Sequence, residues 1–300
     1  MTKLIAWISA FRLRTLPLAV AGIILGSFLA VSDLKYNWSI ILLALLTAVL
    51  LQILSNLAND YGDFSKGTDN EHRVGPTRAL QSGEINQSEM KSALIITSVI
   101  TLTSGILLLW VSFGTDKLLY AIVFFSIGIL AIWAAIKYTV GKSAYGYQGF
   151  GDLFVFLFFG WVSVVGIYFL QVQSIEFKIF LPGTAMGFLS AGVLNLNNLR
   201  DIVNDKASDK ITLAVKLGAH NARIYQLVLL GGAFISSICF THFFGHGMWQ
   251  YMYFLSFVPL GFVAVKSFTT PNLKDLDPLL KVQALSTLLY ALTFGLGQAL

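Results

Sequence analysis

Residues 51–63 read Leu51-Gln52-Ile53-Leu54-Ser55-Asn56-Leu57-Ala58-Asn59-Asp60-Tyr61-Gly62-Asp63, an apolar run that ends in amides and carboxylates. A second apolar run ends in the same way, in Asn197-Asn198-Leu199-Arg200-Asp201, and is followed by Asp205 and Asp209. Only 15 of the 300 residues are acidic, and six of these, Asp69 included, lie in the two places. Carboxylates beside a bilayer need a partner, and the usual partner is a cation.

The composition is that of a membrane protein. Mean hydropathy is +0.74, 56% of the residues are apolar and only 12% are charged, whereas a soluble chain has about twice that charged fraction. Helices need about 20 apolar residues to cross a bilayer, and the runs are too long for barrel strands. We therefore predict an all-α polytopic protein, a single transmembrane domain over residues 1–300, with about nine spans: 16–31, 38–57, 93–111, 118–135, 153–170, 179–196, 224–244, 249–265 and 279–300.

The basic residues predict the orientation of these spans. If the N-terminus and every second loop lie on one side, that side holds 17 of the 20 Lys and Arg residues. An excess of this kind marks the cytoplasmic side. The aspartate clusters then lie at the cytoplasmic face, and the C-terminus lies opposite. The net charge of +5 reflects this topology and contact with anionic lipid or phosphate, and it indicates no nucleic-acid partner.

Several other features narrow the class of protein. Residues 1–15 lack the pattern of a signal peptide, so we expect the first span to be retained. Cys239 is the only cysteine, which excludes a disulfide and a cysteine-based metal site. The sequence indicates no obligatory protein partner. The small residues Gly22…Gly26 and Gly183…Gly187 favour close helix packing.

The second and sixth spans both end in Asn and Asp, which suggests a duplicated four-helix unit. On a helix, Asn56, Asn59 or Asp60, and Asp63 share one face, and so do Asp201, Asp205 and Asp209. Carboxylates on one face repel each other unless a cation neutralises them, and Mg²⁺ with a phosphate suits such oxygen ligands. A single Asp at a helix end is more simply a solvated residue. Two clusters on the same predicted side favour a site.

Basic residues near the clusters complete the prediction. Arg73 and Arg78 follow the first cluster, Lys137 and Lys142 occupy the next cytoplasmic loop, and Arg14 precedes the first span. Each alone is explained by the orientation rule. Together with carboxylates and Mg²⁺ they predict a diphosphate site, in which Arg side chains clamp the oxygens. A diphosphate bound at a membrane face indicates a substrate with a lipid tail, and therefore prenyl chemistry.

Other motifs have simpler explanations. Six aromatic residues are candidates to surround the tail, although packing is their default role: Phe156, Phe158, Phe159, Trp161, Tyr168 and Phe169. Gly141-Lys142-Ser143 lacks the first glycine and the preceding strand of a P-loop. His242 and His246 lie at the opposite end of a span without a third ligand, so we expect no metal there.

These residues identify the chain as resembling the UbiA superfamily of intramembrane aromatic prenyltransferases. The resemblance covers essentially the whole chain and includes the two aspartate motifs, Arg14-Thr15-Leu16-Pro17-Leu18, and Gly75-Pro76 with Arg78. The chain is most similar to the branch of the superfamily that prenylates 1,4-dihydroxy-2-naphthoate. This similarity lies in the residues of the first motif, in Tyr145-Gly146-Tyr147 and in Gly149-Phe150-Gly151-Asp152. The superfamily pattern would place its last Asp at Gly67, and Asp69 lies two residues further on.

The resemblance implies transfer of a polyprenyl group from its diphosphate to the naphthoate carbon that bears the carboxylate. Carbon dioxide and diphosphate leave, and demethylmenaquinone forms for menaquinone synthesis in a bacterial inner membrane. The resemblance assigns Mg²⁺ to Asp60, Asp63, Asp201 and Asp205, with Asp69 and Asp209 as further candidates. The residues expected to bind the substrates, polyprenyl diphosphate and an aromatic acid, are Asn56, Asn59, Arg73, Arg78, Lys137, Tyr138, Tyr145, Tyr147, Asn197 and Asn198.

Two alternatives stay open at this point. The acceptor could be another aromatic acid, such as 4-hydroxybenzoate or homogentisate. A secondary transporter is the competing class, because duplicated helices and acidic groups also occur there. Transporter sites lie near the middle of the bilayer, whereas the charges here gather at one face.

Overall fold

The computed structural model describes residues 3–69, 77–245 and 247–300, and in these residues the chain is helical without strands. Its α-helices are α1 (Lys3–Phe11), α2 (Leu16–Ser32), α3 (Trp38–Ser65), α4 (Gln87–Phe113), α5 (Leu118–Lys137), α6 (Gly151–Val155), α7 (Ser163–Val172), α8 (Phe180–Arg200), α9 (Ile202–Ala207), α10 (Leu213–Phe244), α11 (Phe254–Thr269) and α12 (Asp277–Ala299). A π-helical segment, Phe156–Val162, joins α6 to α7.

The nine predicted membrane spans are confirmed. Nine helical stretches in the described part of the chain are long and apolar enough to cross a bilayer. The helix α3 has 28 residues and is therefore about 42 Å long, which exceeds the hydrocarbon thickness of about 30 Å. Its last turns carry Asn56, Asp60 and Asp63. The extra length of α3 places these polar side chains at the edge of the membrane core without interrupting the helix.

The first span has an additional helix in front of it. The helix α1 ends at Phe11, and Arg12 adopts a left-handed conformation with φ 49° before a short 3₁₀ turn leads into α2. Hydropathy alone treats residues 3–15 as a flank of the first span. The break at Arg12 separates α1 from α2 and brings the Arg12 side chain to the same end of the bundle as Asp63.

The bundle is built around α2 and α8. The helix α2 packs on α12, α7 and α3, whereas α8 packs on α10, α12 and the π-helical segment. The largest buried cluster draws on these helices and includes Leu25, Tyr168, Met186, Tyr253 and Phe294. No observation on this chain tests the duplicated four-helix unit, which stays a prediction.

Glycines allow the closest helix contacts, as predicted for Gly22, Gly26 and Gly187. A Cβ atom on Gly187 would lie 2.7 Å from the Phe156 ring, and one on Gly22 would lie 2.9 Å from the Phe159 carbonyl oxygen. Real Cβ atoms do not approach other atoms so closely, so these positions require glycine. Around Gly183 the contacts are looser, with the nearest atom at 3.4 Å.

Candidate active site

A cavity of about 830 Å³ lies inside the bundle and has one polar end. The polar end lies where α3, α8 and α9 end and where α2 and α12 begin. The polar residues that line it include Arg12, Arg14, Asn56, Asn59, Asp63, Asp69, Arg78, Asn197, Asn198, Asp201, Asp205, Lys210 and Lys281. The rest of the wall is mostly apolar and includes Leu18, Leu51, Ile106, Phe158 and Phe159. A molecule with a charged head and a hydrocarbon tail matches this division.

Lys210 joins the two aspartate clusters. Its Nζ lies 3.5 Å from Asp63 Oδ2 and 3.8 Å from Asp205 Oδ1. Burial alone would lower the pKa of Lys210, but Asp63 and Asp205 raise it above its ordinary value. Lys210 therefore stays charged. Residues 147 positions apart in the chain thus form one buried ionic cluster.

Asp205 is crowded by negative charge. Burial, together with the negative charges of Asp201 and Asp63, raises the pKa of Asp205 to about 7, although Lys210 opposes this rise. The second carboxylate oxygen, Oδ2, is buried and accepts no hydrogen bond from any residue in the described ranges. Leaving such an oxygen without a donor or cation is unfavourable, because its hydration has been lost. The arrangement favours an additional cation at this position.

The loop that precedes α6 supports the same cluster. The Tyr147 hydroxyl donates to Asp63 Oδ1 at 2.7 Å and lies 2.7 Å from the Thr68 hydroxyl. Burial raises the pKa of Tyr147, and the Asp63 charge raises it further, so its phenol stays protonated and remains a donor. The Asn204 side chain donates to the Thr68 carbonyl at 3.1 Å. These contacts hold the end of α3, the loop before α6 and α9 together.

The second motif contains its own ion pair. Arg200 is buried and donates to Asp201 at 2.9 Å and 2.5 Å, to Asn197 Oδ1 at 3.0 Å, and to Asp277 at the start of α12. Asp201 is thus partly neutralised by its neighbour. Arg200 thus joins α8 to α12 and orients Asp201.

The other residues of the first motif have different surroundings. Asp60 is 1% exposed and does not line the cavity, and its Oδ2 accepts a hydrogen bond from the Ala79 backbone at 3.3 Å. Asp69 lines the cavity, with Arg78 Nε 3.6 Å from its Oδ1. Asn56 donates to the Phe11 carbonyl at 2.9 Å and to the Thr15 hydroxyl at 3.0 Å. Asn56 therefore connects α3 to the ends of α1 and α2.

Close contact between α3 and the end of α5 fixes Asn59. The Thr139 hydroxyl donates to the Ala58 carbonyl at 2.8 Å and lies 3.4 Å from Asn59 Oδ1. Gly62 allows this approach, because a Cβ there would lie 2.6 Å from Thr139 Cβ.

Two predicted tyrosines line the cavity next to the polar end. Tyr138 packs against Gly151, where a Cβ would lie 2.9 Å from its ring, and meets Tyr145 edge to face with ring centroids 5.4 Å apart. Tyr145 stacks on Phe154 at 4.0 Å and donates to the Ala134 carbonyl. Burial raises the pKa values of both tyrosines, so their phenols are neutral. These rings are fixed in place between the charged end and the apolar wall.

The structure separates the remaining predicted residues. Asp209 is exposed, because α9 ends at Ala207 and Asp209 adopts φ 53°. The prediction that it shares a helical face with Asp201 and Asp205 is therefore wrong. Lys137 does not line the cavity. Arg73 and His246 lie outside the described residues. Among the six aromatic candidates, only Phe158 and Phe159 line this cavity.

The carboxylates at the polar end of the cavity provide part of a ligand set for magnesium. In residues 3–69, 77–245 and 247–300, no group of three His, Cys, Asp or Glu side chains forms a metal site by itself. Mg²⁺, however, commonly uses one or two carboxylates and takes its remaining ligands from water and phosphate. Carboxylate oxygens of Asp63 and Asp205 both lie within 4 Å of Lys210 Nζ. Asp205 Oδ2 accepts no hydrogen bond from the part of the chain that the structure describes. These two carboxylates fit the ion with a diphosphate as its further ligand.

Sequence reasoning missed several site residues. Arg12, Lys210 and Lys281 are among the basic residues of the predicted cytoplasmic side, and none of the sequence motifs includes Thr68 or Asn204. Nothing in their spacing distinguishes them from other loop residues. Lys210 follows Asp205 by only five residues, and this short separation is the sequence signal that could have indicated a contact between them. In the structure the backbone turns between the two residues, and the Lys210 amide donates to the Asp205 carbonyl at 2.8 Å.

Comparison with known proteins agrees with this geometry. Residues 19–288 match the model of the UbiA prenyltransferase family. The chain is 48% identical to 1,4-dihydroxy-2-naphthoate octaprenyltransferase of Escherichia coli K12, over 84% of this chain and 81% of that protein. It is 41% identical to the enzyme of the same name from Haemophilus influenzae, over 98% and 96% of the two chains.

A solved structure shares the fold. A UbiA homologue from Archaeoglobus fulgidus, bound to DMAPP and Mg²⁺, superimposes with a TM-score of 0.57 at 16% identity, over 94% of this chain and 98% of that one. At this identity the likeness concerns the fold alone. The family match and the two sequence relatives, together with the cavity and its paired aspartates, lead to one conclusion: the chain belongs to the UbiA prenyltransferase family.

Proposed function

We propose that this enzyme transfers a polyprenyl group from polyprenyl diphosphate to 1,4-dihydroxy-2-naphthoate, as the names of its relatives say of them. The observation that carries the proposal is the cavity itself. At its polar end, carboxylates from two walls lie around the Lys210 ammonium group, and the rest of its wall is mostly apolar. The polar end lies at the cytoplasmic face of a bacterial inner membrane, in agreement with the distribution of basic residues.

Asp63 and Asp205 would hold Mg²⁺, and Asp69 and Asp201 line the same cavity. When bound, the ion neutralises the diphosphate oxygens as negative charge develops on them. Lys210, Arg78 and Arg12 supply positive charge at the same end of the cavity. Asp60 supports the turn at Ala79 rather than facing the substrate.

The reaction breaks the bond between the first prenyl carbon and the diphosphate oxygen, and the electron pair leaves with the diphosphate. The prenyl carbon bonds to the ring carbon that bears the carboxylate. Carbon dioxide then leaves, and its bonding electrons restore the aromatic ring, which gives the hydroquinone form of demethylmenaquinone. Tyr138, Tyr145 and Phe158 border the position where the electron-poor prenyl carbon would develop, and their ring faces and the apolar wall exclude water.

The acceptor is tested with purified protein, labelled octaprenyl diphosphate and three aromatic acids. We expect prenylation of 1,4-dihydroxy-2-naphthoate, with one carboxyl-derived carbon dioxide released for each diphosphate. Faster transfer to 4-hydroxybenzoate or homogentisate would contradict the assignment of the acceptor. Absence of transfer to any of the three acids would contradict the proposed function.

A further inference from the structure

A second cavity, of about 560 Å³, lies beside the first and has no role in the chemistry described so far. It lies between the start of α5, the segment from the π-helix to the end of α7, and the start of α8. We call it the lateral cavity, and we call the larger one the donor cavity. Its position is opposite to the aspartates, because α5 starts here and ends beside them at Tyr138.

The two cavities share part of their walls. Phe124, Ile127, Val162 and Gly166 line both of them, and we call these four residues the partition. Three residues of the partition contribute side chains, and Gly166 contributes only backbone. At Gly166 the nearest atom to a Cβ position is Phe124 Cε1, at 3.8 Å. Passage between the cavities requires the Phe124 ring, which stacks on Phe169 with ring centroids 5.4 Å apart, to move aside.

The lateral cavity is apolar and lies on the lipid-facing side of the bundle. Its walls include Trp161, Val165 and Phe169, and its few polar lining residues include Gln173 and Ser174. On α5 its rim has Leu119 at 71% and Val123 at 47% exposure. Only Ala134 of α5 is buried, so this helix is peripheral and the cavity adjoins the bilayer.

The length of a polyprenyl tail requires such a space. Between Tyr138 at the polar end and Phe124 at the partition, the helix rises about 21 Å. An extended chain of eight isoprene units is longer than this distance, and longer than a hydrocarbon core of about 30 Å. A tail whose diphosphate is held by the aspartates must therefore coil back or leave the donor cavity sideways.

We propose that the lateral cavity binds the distal isoprene units of long-chain polyprenyl diphosphates, which enter it past the partition. The proposal rests on the proposed function, since it requires a donor whose head is held by the aspartates. Short donors end before the partition and do not reach the lateral cavity. The lateral cavity would thus contribute to binding of long donors only.

The first test blocks the cavity from its exposed side. Val123→Trp fills it, and Ile129→Trp is the matched control, because Ile129 lies on the same helix with 43% exposure and lines neither cavity. We expect Val123→Trp to lower kcat/KM for octaprenyl diphosphate at least about tenfold, because contacts of the distal tail with the lateral cavity are lost. The value for geranyl diphosphate should fall by less than about twofold, because this short donor does not make those contacts. The control should change neither value.

Unchanged octaprenyl transfer in Val123→Trp would overturn the inference, and so would equal losses with both donors. Failure of the parent protein to use either donor would instead contradict the proposed function.

A second test measures binding without turnover. In a Cys239→Ala background, Val123→Cys and Ile129→Cys are labelled with an apolar maleimide in detergent micelles. Octaprenyl diphosphate should slow labelling at position 123 and leave position 129 unaffected, whereas geranyl diphosphate should slow neither. Labelling at position 123 that is insensitive to octaprenyl diphosphate, as expected if lipid or detergent alone fills the cavity, would overturn the inference.

Discussion

At the scale of single residues, the site depends on a balance between buried carboxylates and one buried ammonium group. Asp63 and Asp205 come from separate helical regions, and Lys210 contacts both. Buried charges are stable only when they are paired, so each member of this cluster fixes the others. Because two carboxylates share one ammonium group, the cluster is also suited to accept a metal ion next to the carboxylates and a diphosphate next to Lys210.

Removing either carboxylate should therefore abolish the chemistry. We expect Asp63→Asn and Asp205→Asn each to lower Mg²⁺-dependent prenyl transfer by at least about a hundredfold, a typical loss when charge stabilisation is removed from a transition state. Asp209→Asn is the matched control, because Asp209 is exposed and Asn also tolerates its left-handed conformation. A comparable loss in Asp209→Asn would show that the exposed carboxylate takes part after all.

Tyr147 orients Asp63 without lining the cavity. Tyr147→Phe keeps the ring, which lies 3.7 Å below Lys66 Nζ, but removes the donor to Asp63. Loss of such a supporting hydrogen bond should weaken metal affinity about 10- to 100-fold. In a Mg²⁺ titration of prenyl transfer, the half-saturating concentration should rise more than the maximal rate falls. A lower maximal rate with an unchanged Mg²⁺ requirement would contradict this role.

At the scale of helices, the approach of α3 to the end of α5 determines where the first motif lies. Gly62→Ala would place a Cβ 2.6 Å from Thr139 Cβ, next to Asp63. We expect it to destabilise the protein by about 1–3 kcal/mol, as overpacking does. Thermal unfolding in detergent measures this effect. Gly231→Ala is the control, because a Cβ there meets nothing within 4 Å, and it should be neutral or stabilising. Equal stability of the two variants would contradict the close contact.

Helices were predictable from the sequence to a large extent, because apolar runs of span length have few alternatives in a membrane. The shared helical face of Asn56, Asn59 and Asp63 also follows from spacing, since α3 continues unbroken to Ser65. The end of α9 was not predictable in this way. A single left-handed residue, Asp209, turns the chain, and helical periodicity carries no information about such a break.

At the scale of the whole molecule, the convergence of the two aspartate clusters is the feature that is least predictable from the sequence. The contact of Lys210 with Asp63 joins residues 147 positions apart, and only the packed bundle brings them together. The positions of Asp60 behind the cavity and of Lys137 outside it follow equally from packing. Motif spacing identified the right helices but not which side chains face the cavity.

The topology of the molecule is open to a direct test. Alkaline phosphatase is active only after export, so we fuse it after residues 115, 142 and 300. The basic-residue distribution predicts activity at 115 and 300 and none at 142. Activity at 142, with inactive fusions at 115 and 300, would place the aspartates on the opposite face of the membrane.

The central claim is that aspartates from two walls of the bundle hold one metal–diphosphate group. Calorimetric titration with geranyl thiodiphosphate, a donor analogue that reacts slowly, tests this claim without turnover. We predict tight binding to the parent protein with Mg²⁺, weak binding without Mg²⁺, and loss of the Mg²⁺-dependent part in both Asp63→Asn and Asp205→Asn. Binding that is equally tight without Mg²⁺, or that keeps its Mg²⁺ dependence in either variant, would contradict the account.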